Sequence, residues 1–315
     1  MTGLLDRRLL FVTGKGGVGK TTIAAALGTL AAEHGKRTLV CEVDAKGNLA
    51  DFFEAGPTAF APRQVSERLF AMSMDTEESL KEYLSLQLKV PVLARIGPLA
   101  RTFDFVATAA PGVREILTVG KLTWEVREGH YDLVVVDASA SGHIVGQLAA
   151  PDAINELVQV GLVRDQTGWM LDILGDPART GVVIVAAPEE MPVQETIELA
   201  ERLREETVVD LAAVVVNRVL PELFNEAEEE LFDRLRADDA LVGRLADAAG
   251  GPVGPLLEAA ELAVSLRRSR AGHLQKLRRE LAGVELLYVP YLFQRTHGVR
   301  ATARIAGHLG EELGF

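Results

Sequence analysis

Residues 14–22 read Gly14-Lys15-Gly16-Gly17-Val18-Gly19-Lys20-Thr21-Thr22, and no other segment constrains the fold as tightly. They satisfy G-x-x-x-x-G-K-[ST], a turn whose backbone N–H groups wrap around nucleotide phosphates. The glycines are needed because a Cβ would block the close approach and the positive φ angles of the turn. Lys20 stands where it reaches the β- and γ-phosphates, and the Thr21 hydroxyl where it holds Mg²⁺. Leu9-Leu10-Phe11-Val12 is an apolar strand running into the turn, and Thr22-Ile23-Ala24-Ala25-Ala26-Leu27 opens a helix. The positive end of that helix dipole would face the phosphates.

Gly14, Gly16 and Gly19 also satisfy G-x-G-x-x-G, with Glu42 and Asp44 where a dinucleotide-binding fold wants a ribose-binding acid. Lys20-Thr21 argues against that reading, since a dinucleotide fingerprint has no use for a lysine and a hydroxyl directly after the third glycine.

Short apolar runs, each followed by turn residues and a helical pattern, predict an α/β fold of the P-loop NTPase type. Its sheet is expected to be mostly parallel and doubly wound, with about seven or eight strands. Strands are expected near 8–13, 38–43, 69–74, 132–137, 181–187, 211–217 and 285–289. Val134-Val135-Val136 and Val182-Val183-Ile184-Val185 are continuous rather than alternating, as strands covered on both faces should be. Helical insertions are expected at about 76–128, 152–178 and 222–283. With no repeats or Ser/Gly-rich linkers, residues 1–315 read as a single domain. In the last insertion an acidic run (Glu226 to Asp233) precedes a basic one (Arg267 to Arg279), which reads as a solvated face or as mutual salt bridging.

Forty-five acidic against 33 basic residues give a net charge of −12, which weighs against nucleic-acid binding. The single cysteine, Cys41, excludes a disulfide framework or a cysteine-based metal site within one chain and reads as a small core residue. No signal layout and no apolar run of transmembrane length are present, so a cytoplasmic location is expected.

Hydrolysis needs an acid for the Mg²⁺ shell and a group that orients water. Val134-Val135-Val136-Asp137 is an apolar strand ending in an acid, as a Walker B strand should be. Asp44 ends the strand Leu39-Val40-Cys41-Glu42-Val43. The carboxyl ends of neighbouring strands surround one crevice in a doubly wound sheet, so Asp44 is a second candidate. A turn aspartate would look the same.

At this point a resemblance becomes specific. Gly14 to Thr22, with the extra Lys15, resembles the deviant Walker A of the SIMIBI class. Asp44-Ala45-Lys46-Gly47-Asn48-Leu49-Ala50-Asp51-Phe52-Phe53 is similar to switch I of the ArsA family within that class. Asp137-Ala138-Ser139-Ala140-Ser141-Gly142-His143, then Leu148 and Pro151, is similar to its switch II. Pro111-Gly112-Val113-Arg114-Glu115, Val214-Val215-Val216-Asn217 and Val289-Pro290-Tyr291 resemble further family segments.

The resemblance implies a Mg²⁺-dependent ATPase that dimerises around ATP, with Lys15 crossing to the partner's phosphates. It implies catalytic roles for Lys15, Lys20, Asp44 and Asp137, with Thr21, Asp44 and Asp137 serving the metal. Gly14, Gly16, Gly17, Val18, Gly19, Thr22, Asn48 and Gly142 would cradle the nucleotide, and Asn217, Pro290 and Tyr291 would meet the adenine. His143 would sit in a relay, although a packed loop histidine reads equally well. Switch I departs from the family at Ala45-Lys46-Gly47, and switch II at Ala138 and Ala140. These departures leave room for a weakly catalytic or regulatory ATP-binding subunit paired with a catalytic paralogue. Partners implied are a second copy or paralogous subunit and a hydrophobic client or membrane protein. A positioning ATPase on DNA or membrane is disfavoured by the acidic balance. The terminal segment Ile305–Leu313, interrupted by Gly307 and Gly310, also makes a poor membrane helix.

Overall fold

The apolar run before the phosphate loop becomes the centre of the sheet because it is fit for burial on both faces. The computed structural model describes residues 3–44, 48–88, 112–158, 160–293 and 298–315, with the side chains of Asn48, 86–88 and Leu162 left out. In chain order the strands are β1 (Leu9–Gly14), β2 (Thr38–Glu42), β3 (Arg63–Gln64), β4 (Leu69–Ser73), β5 (Leu133–Asp137), β6 (Thr180–Ala186), β7 (Leu211–Val219) and β8 (Glu285–Pro290). The helices are α1 (Lys20–Glu33), α2 (Asn48–Phe53), α3 (Thr76–Leu88), α4 (Val113–Glu128), α5 (Ser141–Leu157), α6 (Leu162–Leu174), α7 (Glu190–Glu206), α8 (Glu226–Arg236), α9 (Asp239–Ala249), α10 (Gly254–Glu280) and α11 (Val299–Leu313).

The eight strands form one sheet in the order β3-β4-β2-β5-β1-β6-β7-β8. Every pairing is parallel except β3 with β4. β1, β5 and β6 are buried along their whole length, which explains why their sequences are unbroken apolar runs rather than alternating ones. Alternate residues of β1 feed two cores. Leu10 and Val12 pack with α1 and α11, and Leu9 and Phe11 with α4, α5 and α7. The result is a three-layer sandwich whose loops gather at the carboxyl ends of the strands.

The expected fold class is found, with differences in detail. β3 was not expected from the sequence. Its two residues are exposed and polar, so no periodicity marks them. The helix after β5 starts at Ser141, well before the 152 expected, because Ala140 holds an extended conformation and the chain turns helical at once. Pro151 sits inside α5. Gly307 and Gly310 do not break α11, and Gly310 lets the helix lie close against Leu30 of α1. The acidic and basic runs pair with one another: Arg268 binds Glu229 at 2.6 Å and meets Asp233 at 3.8 Å. Cys41 is fully buried, and burial pushes its thiol well above the ordinary range. Ala45, Lys46, Gly47 and Pro111, named from the sequence, lie outside the described residues. Among the described residues, no helix is long and apolar enough to cross a membrane.

Candidate nucleotide site

Gly14 ends β1 beside the Val185 carbonyl of β6, where a Cβ would collide with backbone. The chain then loops over and enters α1 through Gly19, whose φ of 101° belongs to the left-handed region. Among the described residues no side chain caps α1, and its first backbone N–H groups point out of the helix end. A nucleotide phosphate satisfies both those donors and the helix dipole.

The loop borders an open cleft of about 670 Å³. Gly16, Gly17, Gly19, Lys20, Thr21 and Thr22 form one wall, and Glu42, Asp44, Asp51, Asp137, Ala138 and Ala140 the other. The register explains the gathering of acids: Asp137 at the end of β5 lies between Val12 of β1 and Glu42 of β2. Three parallel strands therefore deliver the phosphate loop, Asp137 and the Glu42–Asp44 segment to one edge of the sheet.

The Thr21 hydroxyl donates to Asp137 Oδ2 at 2.6 Å. Asp137 is 6% exposed, and its Oδ1 is buried with no hydrogen-bond partner among the described residues. Burial raises its carboxyl from the ordinary 3.8 to about 6; the Thr21 hydrogen bond and Lys20 oppose the rise, and the charges of Glu42 and Asp44 add to it. A hydroxyl beside a carboxylate with an unused oxygen fits a hard divalent cation carried in with phosphates. Among the described residues no three His, Cys, Asp or Glu side chains form a metal cage. Mg²⁺ bound with a nucleotide needs none, since phosphates and water complete its shell.

Thr13 Oγ1 donates to the Ser139 carbonyl at 2.9 Å, tying the start of the phosphate loop to the segment after Asp137. Asn217, at 6% exposure, donates from Nδ2 to the Val18 carbonyl at 2.8 Å, and its Oδ1 accepts from the Arg218 N–H. Tyr291 is tied in by its N–H to the Val219 carbonyl at 2.8 Å, just past β8. Asn217 thus braces the loop, while Pro290 and Tyr291 stand one strand further out and do not border the cleft. Gly142 lies in the first turn of α5 with open space around it. The Asn48 side chain is outside the description.

Lys15 behaves differently from Lys20. It is absent from the cleft wall, and its ammonium pairs with Glu195 of α7. Glu42 and Glu195 were not singled out from the sequence as phosphate-site residues. Glu42 follows a strand pattern, and Glu195 lies 180 residues from Lys15 on an ordinary amphipathic helix. His143 borders a separate polar pocket of about 220 Å³ with Arg114, Glu115 and Asp44.

A further cavity of about 230 Å³ opens between α3, α4, α5 and α6. Leu80, Tyr83, Trp124, Ile154, Trp169 and Met170 give it a mostly apolar lining. Trp124 and Trp169 meet edge to face at 6.5 Å, and Tyr83 donates to Gln166 at 2.6 Å.

Fold and site together define a P-loop NTPase, with the loop after the central strand and an acid closing the neighbouring one. The profile of the anion-transporting ATPases, ArsA ATPase, matches residues 7–171 and 162–247. The chain is 32% identical over 260 residues to ATPase BagA of Mycobacterium tuberculosis, covering 76% of each protein. It is 30% identical over 216 residues to ATPase get3 of Pyrenophora tritici-repentis, covering 65% of this chain and 61% of the relative. It is 28% identical over 241 residues to the arsenical pump-driving ATPase of Acidiphilium multivorum, spanning 70% of this chain and 40% of that longer protein. The chain belongs to the ArsA ATPase family and is an ATPase.

Proposed function

We propose that this protein is a Mg²⁺-dependent ATP switch that dimerises around its nucleotide and passes nucleotide state to the apolar cavity between α3 and α6. The observation that carries the reading is the path of α5. This helix leaves the cleft directly after Asp137 and Ala140, and its far part supplies Ile154 to the cavity wall. At 17 residues it spans roughly 25 Å as a packed, continuous element. A displacement at the phosphate end therefore has a mechanical route to the cavity.

The chain's own residues divide the work. Backbone N–H groups of the loop and of the α1 N-terminus hold the phosphates, and Lys20 neutralises charge on them. Thr21 and Asp137 would hold Mg²⁺, which supplies further neutralisation of the phosphate oxygens when bound. Asp44, on the cleft wall, orients the attacking water. Lys15, turned away from its own cleft, is free of phosphate duty in its own chain and serves the partner's nucleotide. The relatives' printed names, an arsenical pump-driving ATPase among them, support a cargo-coupled cycle. With one cysteine, buried in β2, this chain has no thiol cluster for arsenite, and the apolar cavity favours a hydrophobic client.

Steady-state ATPase assays with light scattering test the proposal. Lys20→Ala is expected to abolish turnover, and Asp44→Asn to bind ATP, dimerise and hydrolyse it at least about a hundredfold more slowly. A monomer that turns over ATP at a rate independent of its own concentration would refute the dimeric switch.

A further inference from the structure

Lys15 and Glu195 form an ion pair between the phosphate loop and α7, each side chain about one-third exposed. Neither residue borders the nucleotide cleft. α7 itself is anchored from behind by α10, through Lys276 to Gln194 at 2.7 Å and Arg270 to Glu189 at 3.6 Å. Glu195 therefore sits on a braced helix, and Lys15 is held against its own chain.

A lysine that must reach a second copy's phosphates cannot keep all of this pairing. Glu195 offers a single carboxylate, whereas ATP offers several phosphate charges, so ATP on a facing copy outcompetes it and an empty facing site does not. We propose that Glu195 is a positioning residue that latches Lys15 in cis and is released only when a nucleotide-loaded copy of this chain arrives. The latch makes dimerisation conditional on ATP in the facing protomer and sets the protein concentration at which it occurs. This inference rests on the reading of Lys15 as the residue that crosses to the partner.

The test is sedimentation velocity of the full chain with Mg²⁺ and a non-hydrolysable ATP analogue, alongside ATPase rate against protein concentration. Glu195→Gln keeps the size of the side chain at a partly exposed site and removes the charge. It is expected to move the dimerisation midpoint about three- to tenfold lower in protein concentration, as befits two partly exposed ion pairs broken per dimer. In a Lys15→Gln background the same substitution is expected to change nothing, which separates the latch from any general effect on α7. A wild-type chain that stays monomeric with the analogue would overturn the crossing role of Lys15. A Lys15-dependent dimer whose midpoint is unmoved or raised by Glu195→Gln would overturn the latch alone.

Discussion

Asp137 offers the sharpest test, because the same burial that prepares it for a cation costs the empty protein stability. Its carboxyl titrates at about 6 in the folded chain against 3.8 ordinarily. Between those values the folded state holds a proton that the unfolded chain has released, so stability falls as pH rises through this window. At about 1.4 kcal/mol per pH unit, ionising Asp137 at neutral pH costs the folded state about 3 kcal/mol. Asp137→Asn removes that cost and loses about 1 kcal/mol, because its amide N–H donors then occupy the buried position of Oδ1, which has no partner among the described residues. The variant is therefore expected to be about 2 kcal/mol more stable than the wild type at pH 8, an upward Tm shift of roughly 4 °C for a chain of this size. The gap should shrink to about zero near pH 4.5, where the wild type has lost most of its ionisation penalty. Paired urea melts in EDTA without nucleotide measure it, since other titrating groups cancel in the difference. Adding Mg²⁺ and ADP should stabilise the wild type more than the variant, and the variant should be inactive. A gap that stays constant from pH 4.5 to pH 8 would refute the reasoning.

Further outcomes follow from the same geometry. Asn217→Ala leaves the Val18 carbonyl without its buried donor and is expected to cost about 1–3 kcal/mol. Nucleotide affinity, read by calorimetry, should fall with it as the loop loosens. The chain's two tryptophans, Trp124 and Trp169, both line the apolar cavity, so intrinsic fluorescence should shift when a hydrophobic peptide binds there. An unchanged spectrum on saturation with such a peptide would remove the cavity as its site. Cys41 should resist thiol reagents in the native protein and react only at the rate of unfolding, as a timed labelling experiment with mass spectrometry would reveal.

Local signals made much of this molecule legible in its sequence. The run Leu9–Val12 and the glycines after it announce a strand and a phosphate loop because steric and hydrogen-bond demands act between neighbours. Val134-Val135-Val136-Asp137 is legible for the same reason. Glu42 was harder, since a buried acid at a strand end acquires its meaning only when the register sets it beside Asp137. Glu195 could not be found locally, because its partner lies on another element far along the chain. The start of α5 was missed because Ser141-Gly142 carries little helical propensity, and tertiary packing of Ile144, Val145 and Leu148 decides the matter instead.

The two-residue strand β3 has a consequence for the molecule's life in a crowded solution. A parallel sheet ending at β4 would present a longer row of unpaired backbone donors and acceptors, open to recruitment by any extended chain. Arg63 and Gln64 cover part of that row in the opposite direction, and both side chains are hydrophilic. The strip is too short and too polar to recruit a neighbour in turn. A segment that contributes almost nothing to the cleft thus shortens the open backbone row on one edge of the sheet.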